Sequence, residues 1–301
     1  MTIPNKTSAV LYCQDFSPKA IDITAAIVLC SLIAFVGSLG NAITILVIKR
    51  APNLQTICGV LIANLALADL LVTAISIPLM ISVLSQDVAP VCSVSTVGVT
   101  SMVILRCSIT ASVLILAAMS MDRCWAICSP ITHKLRMSTS KLKAFLGLIW
   151  MTSLVFSALE LYSRFERLFS LYIRTFGAIT CLLAIVISGI VTFTTVRFKS
   201  SKIRQLHDNQ SHMKISGELR EREKQVAKTV ALIVGLFCLC WVPIITIPVI
   251  FLKHYSMWHF WSGLLALSNS AFNPCVYFYR QRNYRHAFKE MVLPMYKGFT
   301  R

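Results

Sequence analysis

Two charged side chains stand alone inside long uncharged runs: Asp69, within Leu65-Ala66-Leu67-Ala68-Asp69-Leu70-Leu71, and Arg106, between Leu105 and Cys107. A charge kept from water has to be paired, neutralised or bound to a counter-ion. Asn41, Ser112, Asn269 and Asn273 are polar residues inside other apolar runs. Grouped with Asp69, they would supply one carboxylate and several neutral oxygens, a donor set suited to a small hard cation such as sodium. The same residues would equally hold a neutral, protonated Asp69 in a hydrogen-bond network. Arg106 implies the opposite chemistry, because a guanidinium recognises carboxylate or phosphate through parallel N–H groups. Its partner is either an anionic small molecule or lipid, or the internal acid Glu160, and both readings hold if a ligand displaces the glutamate. No His/Cys cluster at metal spacing, Gly-rich phosphate loop or nucleophile with a base accompanies these residues. The sequence therefore reads as a protein that is not an enzyme.

The elements that must position these groups follow from composition. Of 301 residues, 56% are apolar and 14% charged, and the mean hydropathy is +0.71. A soluble domain carries about a quarter charged residues, so the apolar surplus needs lipid as its solvent. Seven runs are free or nearly free of charge: residues 23–48, 57–84 (only Asp69), 94–121 (only Arg106), 144–159, 175–196, 229–252 and 256–279. A spanning helix needs about 20 apolar residues. The fourth run is short and ends at Glu160, yet Trp150 and its polar flanks favour a short helix over a loop. None of the runs shows the alternation of a barrel strand, and helices satisfy their own backbone in lipid. The expected fold is an all-α membrane protein, a seven-transmembrane helix bundle over residues 23–279, preceded by an N-terminal arm, residues 1–22. Beyond it, residues 280–301 hold a short amphipathic eighth helix and tail: Tyr284, Ala287, Phe288, Met291 and Val292 recur at helical spacing, with Arg280, Arg282, Arg285 and Lys289 on the other faces.

The net charge of +17 could suggest nucleic acid until its positions are read. With the N-terminus outside, 22 of the 29 Lys and Arg residues fall on the inner side, six on the outer side, and Arg106 within a span. That asymmetry orients a multi-pass protein with its N-terminus extracellular. It also sets the basic face against anionic lipid, so no nucleic-acid partner is needed. Asn5-Lys6-Thr7 is a glycosylation triplet on the outer side. Residues 1–22 lack the pattern of a cleaved signal, so the first span is expected to remain as an anchor. Of eleven cysteines, Cys13 and Cys92 alone fall clearly on the oxidising side. A bridge between them would tie the arm to the first outer loop; two free thiols are the alternative.

Six motifs occur in one order: Gly40-Asn41; Leu65-Ala66-Leu67-Ala68-Asp69; Asp122-Arg123-Cys124; Trp150; Phe237-x-x-Cys240-Trp241-x-Pro243; and Asn269-Ser270-x-x-Asn273-Pro274-x-x-Tyr277. The set resembles the rhodopsin-like (class A) G-protein-coupled receptors over residues 23–292. The resemblance implies a plasma-membrane receptor that couples an extracellular ligand to a heterotrimeric G protein. It implies a switch in which Asp122 and Glu223 restrain Arg123, a pivot at Phe237 and Trp241 beside the kink at Pro243, and an inward turn of Tyr277 near Asn273 and Pro274. Pro130 and Ile131 match the loop that touches the G protein. Cys124 stands where the family usually has Tyr.

Departures from the pattern narrow the ligand. By the resemblance, Leu267 replaces the lysine that holds retinal, and Leu105 replaces the acid that binds amines. Gly98 stands where the family's usual disulfide begins, residues 151–180 contain no cysteine, and residues 175–196 contain no proline. These features resemble the subgroup of melanocortin, cannabinoid and lysophospholipid receptors, although the acidic cluster of the melanocortin members is missing. Arg106 lies at the depth where family ligands bind, so Leu105, Arg106, Ile109, Glu160 and Trp241 form the expected ligand site. The rival from another class is a transporter or channel with Asp69 and Arg106 on its pathway.

Overall fold

In the computed structural model the described residues are 19–86, 95–128, 139–162, 228–229, 231–247 and 257–299, with single helical positions at Leu183, Val186 and Ile190. The first span runs Ala20–Arg50. Asp22 in its first turn accepts from the Lys19 amide at 3.3 Å, and Lys49 and Arg50 close its last turn, so charges of the right sign sit at both poles of the helix dipole. At 1.5 Å per residue it is about 46 Å long, more than the ~30 Å of hydrocarbon, and its charged ends reach the interfaces.

A 3-10 turn, Pro52–Leu54, leads to the second span, Ile57–Leu84, which Thr56 caps by accepting from the Gly59 amide at 3.2 Å. This span is α-helical except for a π turn at Val72–Ser76. Pro78 lies just beyond it and has no N–H for the carbonyl of Ala74, four residues back. The wider turn accommodates that missing bond. The third span is Thr96–Cys128, the fourth Thr139–Tyr162, the described part of the sixth Ala231–Ile247, and the seventh Met257–Arg280. The amphipathic helix that follows is Arg282–Phe299. Among the described residues there is no strand. The fifth run lies outside them apart from the three helical positions.

Several helices outrun the apolar stretches that announced them. The first takes in Asp22, Lys49 and Arg50, the third continues through Asp122 and Arg123 to Cys128, and the fourth includes Lys141, Lys143 and Glu160. Charge marks where a helix leaves lipid, and long charged side chains reach water from a helix that continues.

The first helix packs on the second and the seventh, the second on the third, and the third on the fourth. The seventh thus closes the bundle against the first. Two glycines let the first helix approach its neighbours: a methyl group on Gly40 would come within 2.9 Å of the Pro274 ring of the seventh helix, and one on Gly37 within 2.5 Å of Thr73 of the second. Without a hydrophobic drive between helices in lipid, such small residues let backbones approach and gain dispersion contacts. Large apolar side chains that stay exposed, including Phe35, Leu148 and Leu239, face outward as a lipid-embedded surface requires.

The core has three layers. One apolar cluster joins Val47, Leu61, Leu65, Ile115, Met119, Phe237 and Tyr277 toward one end of the bundle. A second joins Cys30, Ile77, Leu84, Phe260, Leu264 and Leu267 toward the other. Between them along the helices lie buried Asn41, Asp69, Thr73, Ser108, Ser112, Asn269 and Asn273.

Candidate functional site

The polar layer is built by four helices that each contribute one or two residues to the same depth. Asp69 is 1% exposed and accepts at Oδ2 from the Asn273 amide at 2.7 Å. Asn41 donates to the Gly37 carbonyl and, across the helix boundary, to the Ser270 carbonyl, each at 2.9 Å. The Thr73 hydroxyl donates to the Asp69 carbonyl at 2.9 Å. After these bonds, Oδ1 of Asn41, Asn269 and Asn273 remain buried with no hydrogen-bond donor among the described residues. Buried acceptors left unpaired are costly. Three such oxygens in the layer that holds a carboxylate and the buried Ser112 fit a small hard cation, which binds through oxygen and carries the compensating charge.

Leu105, Arg106, Ile109 and Trp241 are all half-buried. Leu105 packs against the second apolar cluster and Trp241 against the first. The third and fourth spans are registered by the Ser157 hydroxyl, which donates to the Val103 carbonyl at 2.9 Å. Arg106 lies one turn past Val103 and Glu160 one turn past Ser157. Because the spans are antiparallel, these positions fall on opposite sides of the contact, about 9 Å apart along the axes. Side chains lean toward the N-terminus of their helix, which carries Arg106 back toward the contact. The Glu160 side chain lies outside the described residues.

Phe237 and Trp241 stack with ring centroids 5.3 Å apart and planes at 17°. The indole Nε1–H is buried and has no acceptor among the described residues. Pro243 follows two residues on. Tyr277 is fully buried in the first cluster, its ring 6.5 Å from that of Tyr284, and its hydroxyl has no partner among the described residues. Pro274 is buried inside the seventh helix, against Gly40. Asp122 is buried, 7% exposed, near the C-terminal end of the third helix. The Arg123 side chain and all of Glu223, Pro130, Ile131, Asn5, Cys13 and Cys92 lie outside the described residues.

Several tying residues were not singled out from the sequence. Ser76 and Ser101 donate to each other's carbonyls, both at 2.9 Å, and lock the π turn of the second span to the third. Pro78 was the available signal for that turn. Trp150, picked out as a motif, donates to Asn64 Oδ1 of the second span at 3.2 Å. Thr44 and Tyr284 share a hydrogen bond of 3.0 Å that fastens the amphipathic helix to the first span. Arg285 donates to the Phe278 carbonyl at 3.1 Å and also to that of Tyr279. It thereby caps the end of the seventh helix, where carbonyls lack partners.

Residues 40–277 match the family described as 7 transmembrane receptor (rhodopsin family). The chain is 27% identical over 288 residues to galanin receptor 2a of Danio rerio, covering 87% of this chain and 76% of that one. It is 25% identical over 299 residues to 5-hydroxytryptamine receptor 4 of Cavia porcellus, covering 86% and 76%. Its fold superposes on the crystal structure of squid rhodopsin with a TM-score of 0.81 at 16% identity, over 94% of this chain and 89% of that one.

Proposed function

Because the chain belongs to the rhodopsin family of seven-transmembrane receptors, and so is a multi-pass plasma-membrane receptor that couples an extracellular ligand to a heterotrimeric G protein, we propose the following roles for its residues. The N-terminus is outside, as the basic excess on the opposite loops favours. The ligand is an anionic small molecule or lipid. Arg106 binds its charge, Leu105, Ile109 and Trp241 enclose its apolar part, and Glu160 is the internal acid that it displaces. The relatives' names differ in ligand, galanin in one and 5-hydroxytryptamine in another, so the chemistry of this chain's own residues has to decide.

A shift of Trp241 against Phe237 would be passed to the polar layer and to Tyr277. Asp69, Ser112, Asn269 and Asn273 would hold a sodium ion, whose charge offsets that of the carboxylate. At the inner end Asp122 and Glu223 restrain Arg123, and release lets the sixth helix move outward, so that Arg123, Pro130 and Ile131 meet the G protein. Ligand acts by binding one packing of the bundle better than the other.

The observation that carries this reading is the buried polar layer, tied through Asn273 and Asp69 and set between two apolar clusters. Such a layer has more than one way to satisfy its bonds, and a lipid-embedded scaffold has no structural need for it. The test is nucleotide exchange on G proteins by the full chain in nanodiscs, screened with carboxylates, phosphates and lysophospholipids. Arg106→Ala should weaken the potency of an active anion by about 10-fold to 150-fold, the loss of a charged hydrogen bond. Unchanged potency would assign Arg106 to the internal pair with Glu160 alone, and ion flux in proteoliposomes without nucleotide exchange would favour a transporter.

A further inference from the structure

Two concavities meet at the inner ends of the sixth and seventh spans. One is a groove of about 290 Å³, wholly apolar, between Leu232 and Leu236 of the sixth and Phe272, Cys275 and Val276 of the seventh. Leu232, Phe272 and Cys275 are exposed, so the groove opens on the face of the bundle that lies in lipid. The other is a polar pocket of about 620 Å³ formed by Lys228, Arg280, Arg282 and Arg285, within the ~300–1,000 Å³ of small-molecule sites. Tyr279 lines both and joins them.

We propose that this joined site binds an anionic phospholipid of the inner leaflet, with an acyl chain in the groove and a phosphorylated headgroup in the basic pocket. Three observations converge on that occupant. Four cations line one pocket, Lys228 just before the sixth span, Arg280 at the end of the seventh, and Arg282 and Arg285 on the amphipathic helix, and no described Asp or Glu lines it with them; basic pockets between spans on the cytoplasmic side suit phosphorylated headgroups. Arg280 Nε–H is buried with no acceptor among the described residues, and a phosphate oxygen would supply one. The adjoining groove is apolar and reached from the bilayer, which a free phosphate or an acidic peptide would not use. Arg285 already spends part of its guanidinium on the Phe278 carbonyl, so it is held in place and needs little ordering to receive the headgroup. The site is separate from the residues assigned to ligand and switch, and it requires only that the chain be embedded with this end inside.

The test uses the full chain in phosphatidylcholine nanodiscs and a phosphatidylinositol bisphosphate with a photoreactive acyl chain. Crosslinks are expected in peptides covering residues 228–236 and 272–279. Lys228→Gln with Arg282→Gln, both exposed and outside the switch, should weaken affinity about 30-fold at unchanged Tm, about fivefold for each charge removed. Cys275→Trp, which fills the groove, should weaken the lipid and leave the tail-free inositol headgroup unaffected. Crosslinks elsewhere, or an affinity indifferent to the double variant, would overturn the site. A tail-free headgroup that binds as tightly as the lipid would overturn the role of the groove and leave a phosphate site. If the double variant keeps its lipid affinity but loses G-protein coupling in lipid-free micelles, the basic face belongs to the G protein and the proposal fails. Loss of lipid binding with intact nucleotide exchange supports it and leaves the receptor reading untouched.

Discussion

Asn273 donates its side-chain amide to the Asp69 carboxylate over 2.7 Å, a buried bond between residues 204 positions apart that joins the second span to the seventh. Such a bond is worth about 0.5–1.5 kcal/mol to a protonated acid and about 1.5–3 kcal/mol to an ionised one. Its neighbours Asn41 and Asn269 keep unused acceptors in the same layer.

Sodium should therefore stabilise the protein through Asp69. At about ten times its Kd, a bound ion adds about 1.4 kcal/mol, a rise in Tm of about 2 °C at an unfolding entropy of about 2.1 cal/mol/K per residue. The comparison is purified protein in sodium chloride against choline chloride. In Asp69→Asn the two salts should give the same Tm; a persistent difference would place the ion elsewhere.

Gly40→Ala should destabilise the bundle by about 1–3 kcal/mol, because the added methyl meets the stiff Pro274 ring at 2.9 Å and the first and seventh helices must separate. Gly147→Ala is the control. Nothing lies within 4 Å of its added methyl, and an exposed helix interior gains up to about 1 kcal/mol from the change. Opposite shifts in Tm and surface expression are expected, and equal shifts would contradict the packing argument.

Trp241→Phe should cost less stability than a buried tryptophan usually does. Its indole N–H has no acceptor among the described residues, so phenylalanine removes an unsatisfied donor and keeps a ring against Phe237. The unfolding free energy should hold within about 1 kcal/mol while basal nucleotide exchange changes. A large loss of Tm with unaltered exchange would make Trp241 a packing residue only.

The elbow after the seventh helix should loosen in two steps. The Thr44 hydroxyl donates to the Gly40 carbonyl at 2.8 Å, so in the Thr44–Tyr284 pair the phenol is the donor, and burial pushes that phenol's pKa up. Tyr284→Phe removes that one bond, about 0.5–1.5 kcal/mol. Arg285→Met uncaps the carbonyls of Phe278 and Tyr279. Hydrogen exchange at residues 282–291 should quicken in each variant and most in the double variant. Exchange as slow as in the parent would show that apolar packing alone holds the helix.

The sequence alone determined the helical fold, because lipid makes the rule strict: a charge-free run of sufficient length has to be a helix, and a polar or charged group within one has to face inward. Asp69 and Asn273 were legible for that reason, as were the basic side of the bundle and the amphipathic helix, whereas Trp241 was legible through the family motif that contains it. Helix ends were less legible, since Lys141 and Asp122 lie on helices that continue beyond the apolar stretch. Only the tertiary structure decided the pairings. That Asn41 donates to the Ser270 carbonyl, that Ser76 and Ser101 exchange bonds, that Gly40 meets Pro274, and that Arg280 and Lys228 line one pocket under an apolar groove are relations between residues distant in the chain. Helical periodicity records which face of a helix is apolar; it carries no record of which neighbour that face will meet.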